Sequence, residues 1–385
     1  MQMQLGSTRT ESAEFVLPGH PDKLCDALAD AIVEHVMRGD ALGQCGIEAA
    51  CVFDRVFVTG RGAAHREVLD TLDIDALVRR TYREAGYGED AAGHVWGPRP
   101  EDLRIERAMR IGEFEPGERE HRHLSDDQAI CIGYANTMRD TDHLPPAHWL
   151  ARRIARELFR LRIEKGAGEI GPDGKVLAQV RTDGLQWQPL RVSISLHHHE
   201  GSDWLLLRRI AEEAVATACA GKSMPEVVLN GAGMFVCGGP NGDNGSTGKK
   251  LVMDAYGPTV PIGGGAWSGK DFNKVDRAGA LLAREMALEA VGRARYEALV
   301  EVRYEPGCAQ AVSTELWVDA APRAAHCATT PSDVLDTTRA SRRARQVSGR
   351  PLPETARWGM PSIAVSLPFV DFSCRAPFRS RRERL

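Results

Sequence analysis

The sequence predicts a mixed α/β protein in two layers, made of three similar units that each combine strands with one long helix. Three observations carry this. Apolar residues recur at helical spacing in Leu24, Leu28, Ile32, Val33 and Val36, in Trp149, Leu150, Ile154 and Leu158, in Trp204–Ala218, and again from Val275 to Ala290. Short β-rich runs lie between these stretches. A chain of 385 residues also exceeds what one hydrophobic core usually serves, so two or three subdomains are expected. The alternation hints at a threefold repeat, which residue identity between the units is too low to carry.

The first unit spans residues 14–110. Gly19-His20-Pro21-Asp22-Lys23 opens its helix, and Pro21 suits the first turn because its missing N–H would be unpaired there anyway. His20, Asp22 and Lys23 therefore gather at a helix N-terminus, a place that favours anions and can hold a metal–phosphate complex. A plain capped helix, with Asp22 complementing the dipole, stands beside that reading. Strands are expected at Ile47–Phe53 and Val56–Thr59 about a turn at Asp54-Arg55, then a helix over Glu67–Ala85. Glu48 falls inside the first strand, where burial without a partner would be costly and exposure on the sheet face is the plain alternative. Residues 90–125 show little apolar periodicity and many charges, the pattern of a mobile lid.

The central unit spans 122–237. Asp126-Asp127-Gln128 leads into a buried strand, and Pro145-Pro146 opens the second helix. Pro172-Asp173-Gly174-Lys175 introduces a strand, Val176–Val180, and Asp183-Gly184 signals a hairpin to Leu190–Leu196. His197-His198-His199 reads as exposed loop histidines, since three adjacent imidazoles at a strand end point in different directions. Val227–Leu229 and Met234–Cys237 read as strands. The third unit, 238–370, holds a helix over 274–292 and strands around Ala298–Tyr304 and Ala311–Val318. Residues 374–385, with Arg375, Arg379, Arg381, Arg382 and Arg384, read as a solvated basic tail.

Composition narrows the function classes. Hydrophobic content of 43% and charged content of 26% are those of an ordinary soluble globular protein. A net charge of −4 gives no overall drive toward nucleic acid, so any phosphate binding must come from local lysines. The cysteines are 9 in number, scattered and never in a C-x-x-C pair, which argues for reduced thiols in a cytoplasmic protein rather than disulfides or zinc. Residues 1–14 are polar, which implies no secretory leader. No apolar run reaches the roughly 20 residues that span a bilayer.

The third unit carries the clearest chemistry. Gly263-Gly264-Gly265 lets backbone approach a ligand closely, and Lys270, Asp271, Lys274 and Asp276 follow at the start of a helix. Backbone N–H groups, a helix N-terminus and two ammonium groups together make an anion site, best suited to phosphate. A second such loop runs from Gly238 to Lys249-Lys250. Gly264–Lys270 imitates the first seven positions of a P-loop, but Asp271 stands where the Mg²⁺-binding Ser or Thr would be. Pro258 and Pro261 just upstream suit a loop better than the buried strand a P-loop needs.

Three motifs taken together, Gly19-His20-Pro21-Asp22-Lys23, Gly239-Pro240-x-Gly242-Asp243-x-Gly245-x-Thr247-Gly248-Lys249-Lys250 and Gly263-Gly264-Gly265-Ala266-x-Ser268-Gly269-Lys270-Asp271-x-x-Lys274-Val275-Asp276, resemble those of the S-adenosylmethionine synthetase (methionine adenosyltransferase) family. The resemblance covers residues 14–305 and fades after about residue 320. It implies three α/β subdomains about a pseudo-threefold axis, ATP and methionine as substrates, Mg²⁺ and K⁺ as cofactors, and a homodimer or dimer of dimers with active sites between subunits. It implies His20 near the leaving oxygen, Asp22 and Asp276 as Mg²⁺ ligands and Glu48 as a K⁺ ligand. Lys175, Lys249, Lys250 and Lys270 would hold phosphates, with Ala266 in the ATP site. Phe235 would stack on adenine, Asp127 and Asp173 would lie near the nucleoside, and Asp243 and Lys274 would contact the amino acid. Three departures stand out. Lys249 replaces a family Arg, Arg61 replaces a family Glu that helps position methionine, and residues 90–125 contain none of the glutamine that the family lid supplies.

Overall fold

Alternating burial along the strands and one-sided burial along most helices give the chain three four-stranded sheets, each covered by helices. The computed structural model describes residues 8–165, 168–291, 296–319, 321–323 and 352–359. The elements begin with β1 (Arg9–Val16), α1 (Pro21–Gly39), β2 (Gln44–Val52), β3 (Arg55–Ala63), α2 (Arg66–Leu69) and α3 (Ile74–Ala85). Next come β4 (Gly88–Glu89), β5 (Val95–Trp96), β6 (Arg104–Gly112), β7 (Ala129–Asn136), α4 (Pro146–Glu164), β8 (Ile170–Asp183) and β9 (Gln186–His198). The remainder are α5 (Trp204–Ala218), β10 (Glu226–Leu229), β11 (Gly245–Ser246), α6 (Leu251–Asp254), α7 (Val275–Val291), β12 (Glu297–Tyr304), β13 (Ser313–Val318), β14 (Ala321–Arg323) and α8 (Leu352–Trp358).

The sheet orders are β1-β8-β9-β10, β11-β2-β3-β6 and β14-β13-β12-β7. The first packs Val176, Ala178, Val192 and Ile194 against Leu150, Ile154 and Leu158 of α4 and Ile210 and Ala214 of α5. The second packs Val56 and Val58 against Leu24, Leu28 and Ile32 of α1 and Val78 of α3. The third packs Val300 and Val302 against Ala278, Leu282 and Ala287 of α7. Two neighbouring pairs are parallel, β3 with β6 and β9 with β10. Parallel neighbours need a crossover, and α3 and α5 supply them. The three expected strand-plus-helix units are therefore present.

Each sheet, however, borrows a strand from a distant part of the chain. β1 pairs with β8, β11 with β2, and β7 with β12, all antiparallel. Period-2 burial marks a strand but not its partner, so this interleaving is invisible to a local reading.

Several sequence expectations need correction. The helix expected over Glu67–Ala85 is two, α2 and α3, because Asp73 caps a new start by accepting from the Ala76 N–H at 2.9 Å. The hairpin turn falls on Phe53-Asp54, with Phe53 at φ 52°. Residues 90–125 were expected to be structureless, yet β6 lies within them; it is an edge strand with no fully buried residue, and Arg107 interrupts the apolar alternation of Ile105, Met109 and Ile111. Met234–Cys237 forms no strand. His197 and His198 are buried at the end of β9, with only His199 half-exposed: Trp96 stacks on His199 and meets His197 edge-on, and Trp204 meets His198. The basic tail of residues 374–385 lies outside the described residues.

Candidate active site

Every residue of α1 from Pro21 to Val33 is buried, charged ones included. Asp22, Asp26 and Asp30 recur every four residues and so share one face of the helix. That face grips the two glycine-rich loops. Asp22 Oδ1 accepts from the Ser246 N–H at 3.0 Å, Asp26 Oδ1 from Gly248 N–H at 2.8 Å, and Asp30 Oδ1 from Gly269 N–H at 2.8 Å. Two glycines make the grip close enough. A side chain on Gly245 would stand 2.3 Å from the Pro21 carbonyl oxygen, and one on Gly269, at φ +80°, would stand 1.9 Å from that of Ile47.

The cations matching this stripe are internal. Lys23 Nζ, fully buried, binds Asp26 at 3.0 Å and also Asp254. Arg277 donates to both oxygens of Asp30 at 2.6 Å. Burial nonetheless pushes Asp30 up to about 6, against the pull of Arg277. Asp271, which spoils the P-loop pattern, is also structural: it accepts from Cys45 N–H at 2.7 Å and from Arg122 at 2.5 Å.

His20 sits at the open end of α1 as its N-cap, its Nδ1 accepting from the Asp22 N–H at 3.2 Å. A neutral imidazole that accepts at Nδ1 carries its proton on Nε2. Burial pulls His20 down to about 4, and the charges of Lys250 and Lys175 add to this against Asp22 and Asp243. Lys250 Nζ lies 3.0 Å from Asp22 Oδ2 and Lys249 Nζ 3.7 Å from Asp22 Oδ1. Lys175 is half-buried, its Nζ 3.5 Å from Glu14 Oε2. Asp173 is buried and spends its two oxygens on the N–H groups of Gly174 and Gly239, at 2.7 and 2.8 Å; burial pushes it up to about 6. Asp243 is exposed and Phe235 half-buried, its ring tilted against His197 with centroids 5.5 Å apart.

Most of the other expected residues gather around the loop that begins at Gly263. Lys270 Nζ lies 2.5 Å from Asp276 Oδ2, and Lys274 Nζ lies 2.5 Å from Asp126 Oδ2, next to the exposed Asp127. The two loops touch where Ala266 meets Gly248. Glu48 is exposed on β2. Arg61 is held by Glu118, its Nη2 lying 2.5 and 2.6 Å from the two carboxylate oxygens. Among the described residues no three His, Cys, Asp or Glu side chains converge as a metal site. No helix among them is long and apolar enough to cross a membrane.

Residues 8–97 match the family model described as S-adenosylmethionine synthetase, N-terminal domain, and residues 237–329 that described as S-adenosylmethionine synthetase, C-terminal domain. The chain belongs to the S-adenosylmethionine synthetase family. It is a divergent member. A solved structure of similar fold, described as an unusual S-adenosylmethionine synthetase from Campylobacter jejuni, has 23% sequence identity and a TM-score of 0.79. The match covers 91% of this chain and 94% of that one.

For this family member the sequence reading missed Asp26 and Asp30. Their signal was available: carboxylates at 22, 26 and 30 on a helix otherwise apolar on that side. It also grouped Lys23 with the phosphate-facing residues, whereas the i,i+3 partner Asp26 turns Lys23 inward. Arg61 pairs with an acid, Glu118, which lies 57 residues further along the chain.

Proposed function

We propose that this chain is an S-adenosylmethionine synthetase, which joins the adenosyl group of ATP to the sulfur of methionine and then cleaves the released triphosphate to pyrophosphate and phosphate. One observation carries the reading: His20, buried as the N-cap of α1 with its Nδ1 accepting from the Asp22 N–H, stands beside a carboxylate that Lys249 and Lys250 also reach. Thioether sulfur is a nucleophile without losing a proton, so attack on C5′ needs no general base. The barrier lies in the charge that grows on the leaving oxygen. His20, with its proton on Nε2, donates to that oxygen, and Lys175, Lys249, Lys250 and Lys270 neutralise the triphosphate.

Asp22 and Asp276 would hold Mg²⁺ together with phosphate oxygens, and the metal would supply further charge neutralisation. The residues fit this, since each is a single carboxylate now occupied by lysine, and a lysine can pass to phosphate when a cation arrives. Glu48 is the proposed K⁺ ligand. Phe235 stacks on adenine, with Asp127 near the nucleoside. Asp173 contributes by fixing the start of the 238–250 loop. Asp243 and Lys274 meet the amino acid. Homodimerisation is part of the proposal, because exposed Phe57 and Leu177 stand on the faces of their sheets turned away from the helices.

A second reading is favoured by Arg61 and Glu118, which alter the methionine side of the site: the acceptor is a different thioether amino acid. Mass spectrometry after incubation with ATP, methionine, Mg²⁺ and K⁺ tests the first reading, and a panel of methionine analogues separates the second. Absence of both adenosylated product and phosphate release across a range of pH would refute the first.

A further inference from the structure

The histidine run at the end of β9 has no role in the chemistry above, yet it is built into the loop that carries Phe235. That loop leaves the sheet at Asn230, whose side chain bonds both the N–H and the C=O of Leu196, at 2.7 and 3.0 Å. From Gly231 to Cys237 the chain has no regular structure and is largely exposed. It is re-anchored on β9 at Phe235. The His198 backbone N–H donates to Phe235 O at 3.0 Å, and the Phe235 N–H donates to His198 Nε2 at 3.1 Å. An Nε2 that accepts puts the ring proton on Nδ1, which lies 2.7 Å from His199 O and donates there. The ring edge of His198 also meets Trp204 at 6.0 Å between centroids. His197, wedged among Gly171, Gly238 and Trp96, packs against the Phe235 ring.

We infer that His198 is a positioning residue for the nucleobase: it pins the Phe235 backbone from both sides while His197 braces the ring, so that the adenine platform is set before ATP arrives. The inference rests on the proposed function, in which Phe235 stacks on adenine. A pre-set platform avoids ordering an exposed loop on binding, and that ordering otherwise subtracts from affinity. Only steps that use the adenine depend on it. Cleavage of free tripolyphosphate uses the His20, Lys250 and Lys270 end of the site and needs no base.

This separation gives the test. His198→Leu removes the Nε2 acceptor, and His198→Gln restores one. We expect His198→Leu to raise the KM for ATP about fivefold, the scale of one lost hydrogen bond to an ordered backbone group. The KM for methionine and the rate of added tripolyphosphate cleavage should stay at wild-type values, and His198→Gln should recover part of the ATP effect. An unchanged KM for ATP, or a parallel fall in tripolyphosphate cleavage, would overturn the inference. A wild-type protein that makes no adenosylated product would instead refute the proposed function. Should His198→Leu fail to fold, hydrogen exchange on the wild-type decides: a protected Phe235 amide supports the pin, and one exchanging as fast as its exposed neighbours overturns it.

Discussion

Replacing Lys23 by Met distinguishes a lysine that holds the fold from one that holds the substrate. Lys23 is fully buried, and its ammonium joins Asp26 on α1 to Asp254 on α6. Burial alone would lower its pKa, but Asp254 and Asp26 outweigh this and hold it above the ordinary lysine value. The variant leaves two buried carboxylates without their cation. Breaking a buried pair from one side costs about 3–5 kcal/mol, more than half the stability of a marginal domain. The loss depends on pH. Burial already pushes Asp254 up to about 7 with Lys23 present, and without the ammonium it rises further. A carboxyl whose folded pKa is raised binds its proton more tightly folded than unfolded, so stability falls as pH rises toward that pKa. Urea midpoints of Lys23→Met should therefore lie well below wild type and fall further between pH 6 and 8. Lys250→Met, whose ammonium is partly exposed beside Asp22, should leave the unfolding free energy within about 1 kcal/mol of wild type while abolishing product formation. A Lys23→Met protein with the wild-type midpoint but no activity would show that Lys23 faces the substrate.

Three further outcomes are expected. Asp276→Asn should reduce turnover most at limiting Mg²⁺, with a stability change below about 1 kcal/mol because its pair with Lys270 is partly solvated; identical kinetics at low and high Mg²⁺ would reject Asp276 as a ligand. Arg61→Glu should lower the KM for methionine without altering that for ATP, since it replaces a cation with an attractive carboxylate beside Glu118; an unaltered methionine KM would put Arg61 away from the amino acid. Burial holds His148 at about 3, with Arg152 and Arg284 adding to it. Its folded pKa lies below the unfolded value, so its contribution is present above about pH 6.5 and is lost as pH falls toward 3. His148→Phe, keeping the contact with Phe15, should lose less stability than wild type on acidification from pH 7 to 5. Equal losses would remove His148 from the acid limb.

Much of this was legible in the sequence. The helices α1, α4 and α7 declare themselves by apolar spacing with proline or acidic starts, and the glycine loops by the coincidence of glycine and lysine. β6 was not, because on this edge strand Arg107 interrupts the half-buried face that Ile105 and Met109 turn to the core. The direction of Lys23 was hidden too: one partner is three residues away, but the other, Asp254, arrives from beyond the sheets. His197 is covered by Trp96, and nothing local to the run announces that contact. Residues whose roles arise within one turn or one loop could be read; those defined by a distant partner could not.

The pairing of β1 with β8 bears on how the protein comes to exist during synthesis. Arg9 meets Thr182 across the ladder, a separation of 173 residues. At about 5–20 residues per second, β1 waits roughly 10–35 s on the ribosome before its partner is made. The segment that waits includes Phe15, Val16 and Leu17, all fully buried in the finished fold. Gly19, directly before His20, likewise docks on the carbonyl of Pro172 at 3.1 Å. The reactive end of α1 is thus completed by a stretch of chain that does not yet exist when β2, β3 and β6 can already pair.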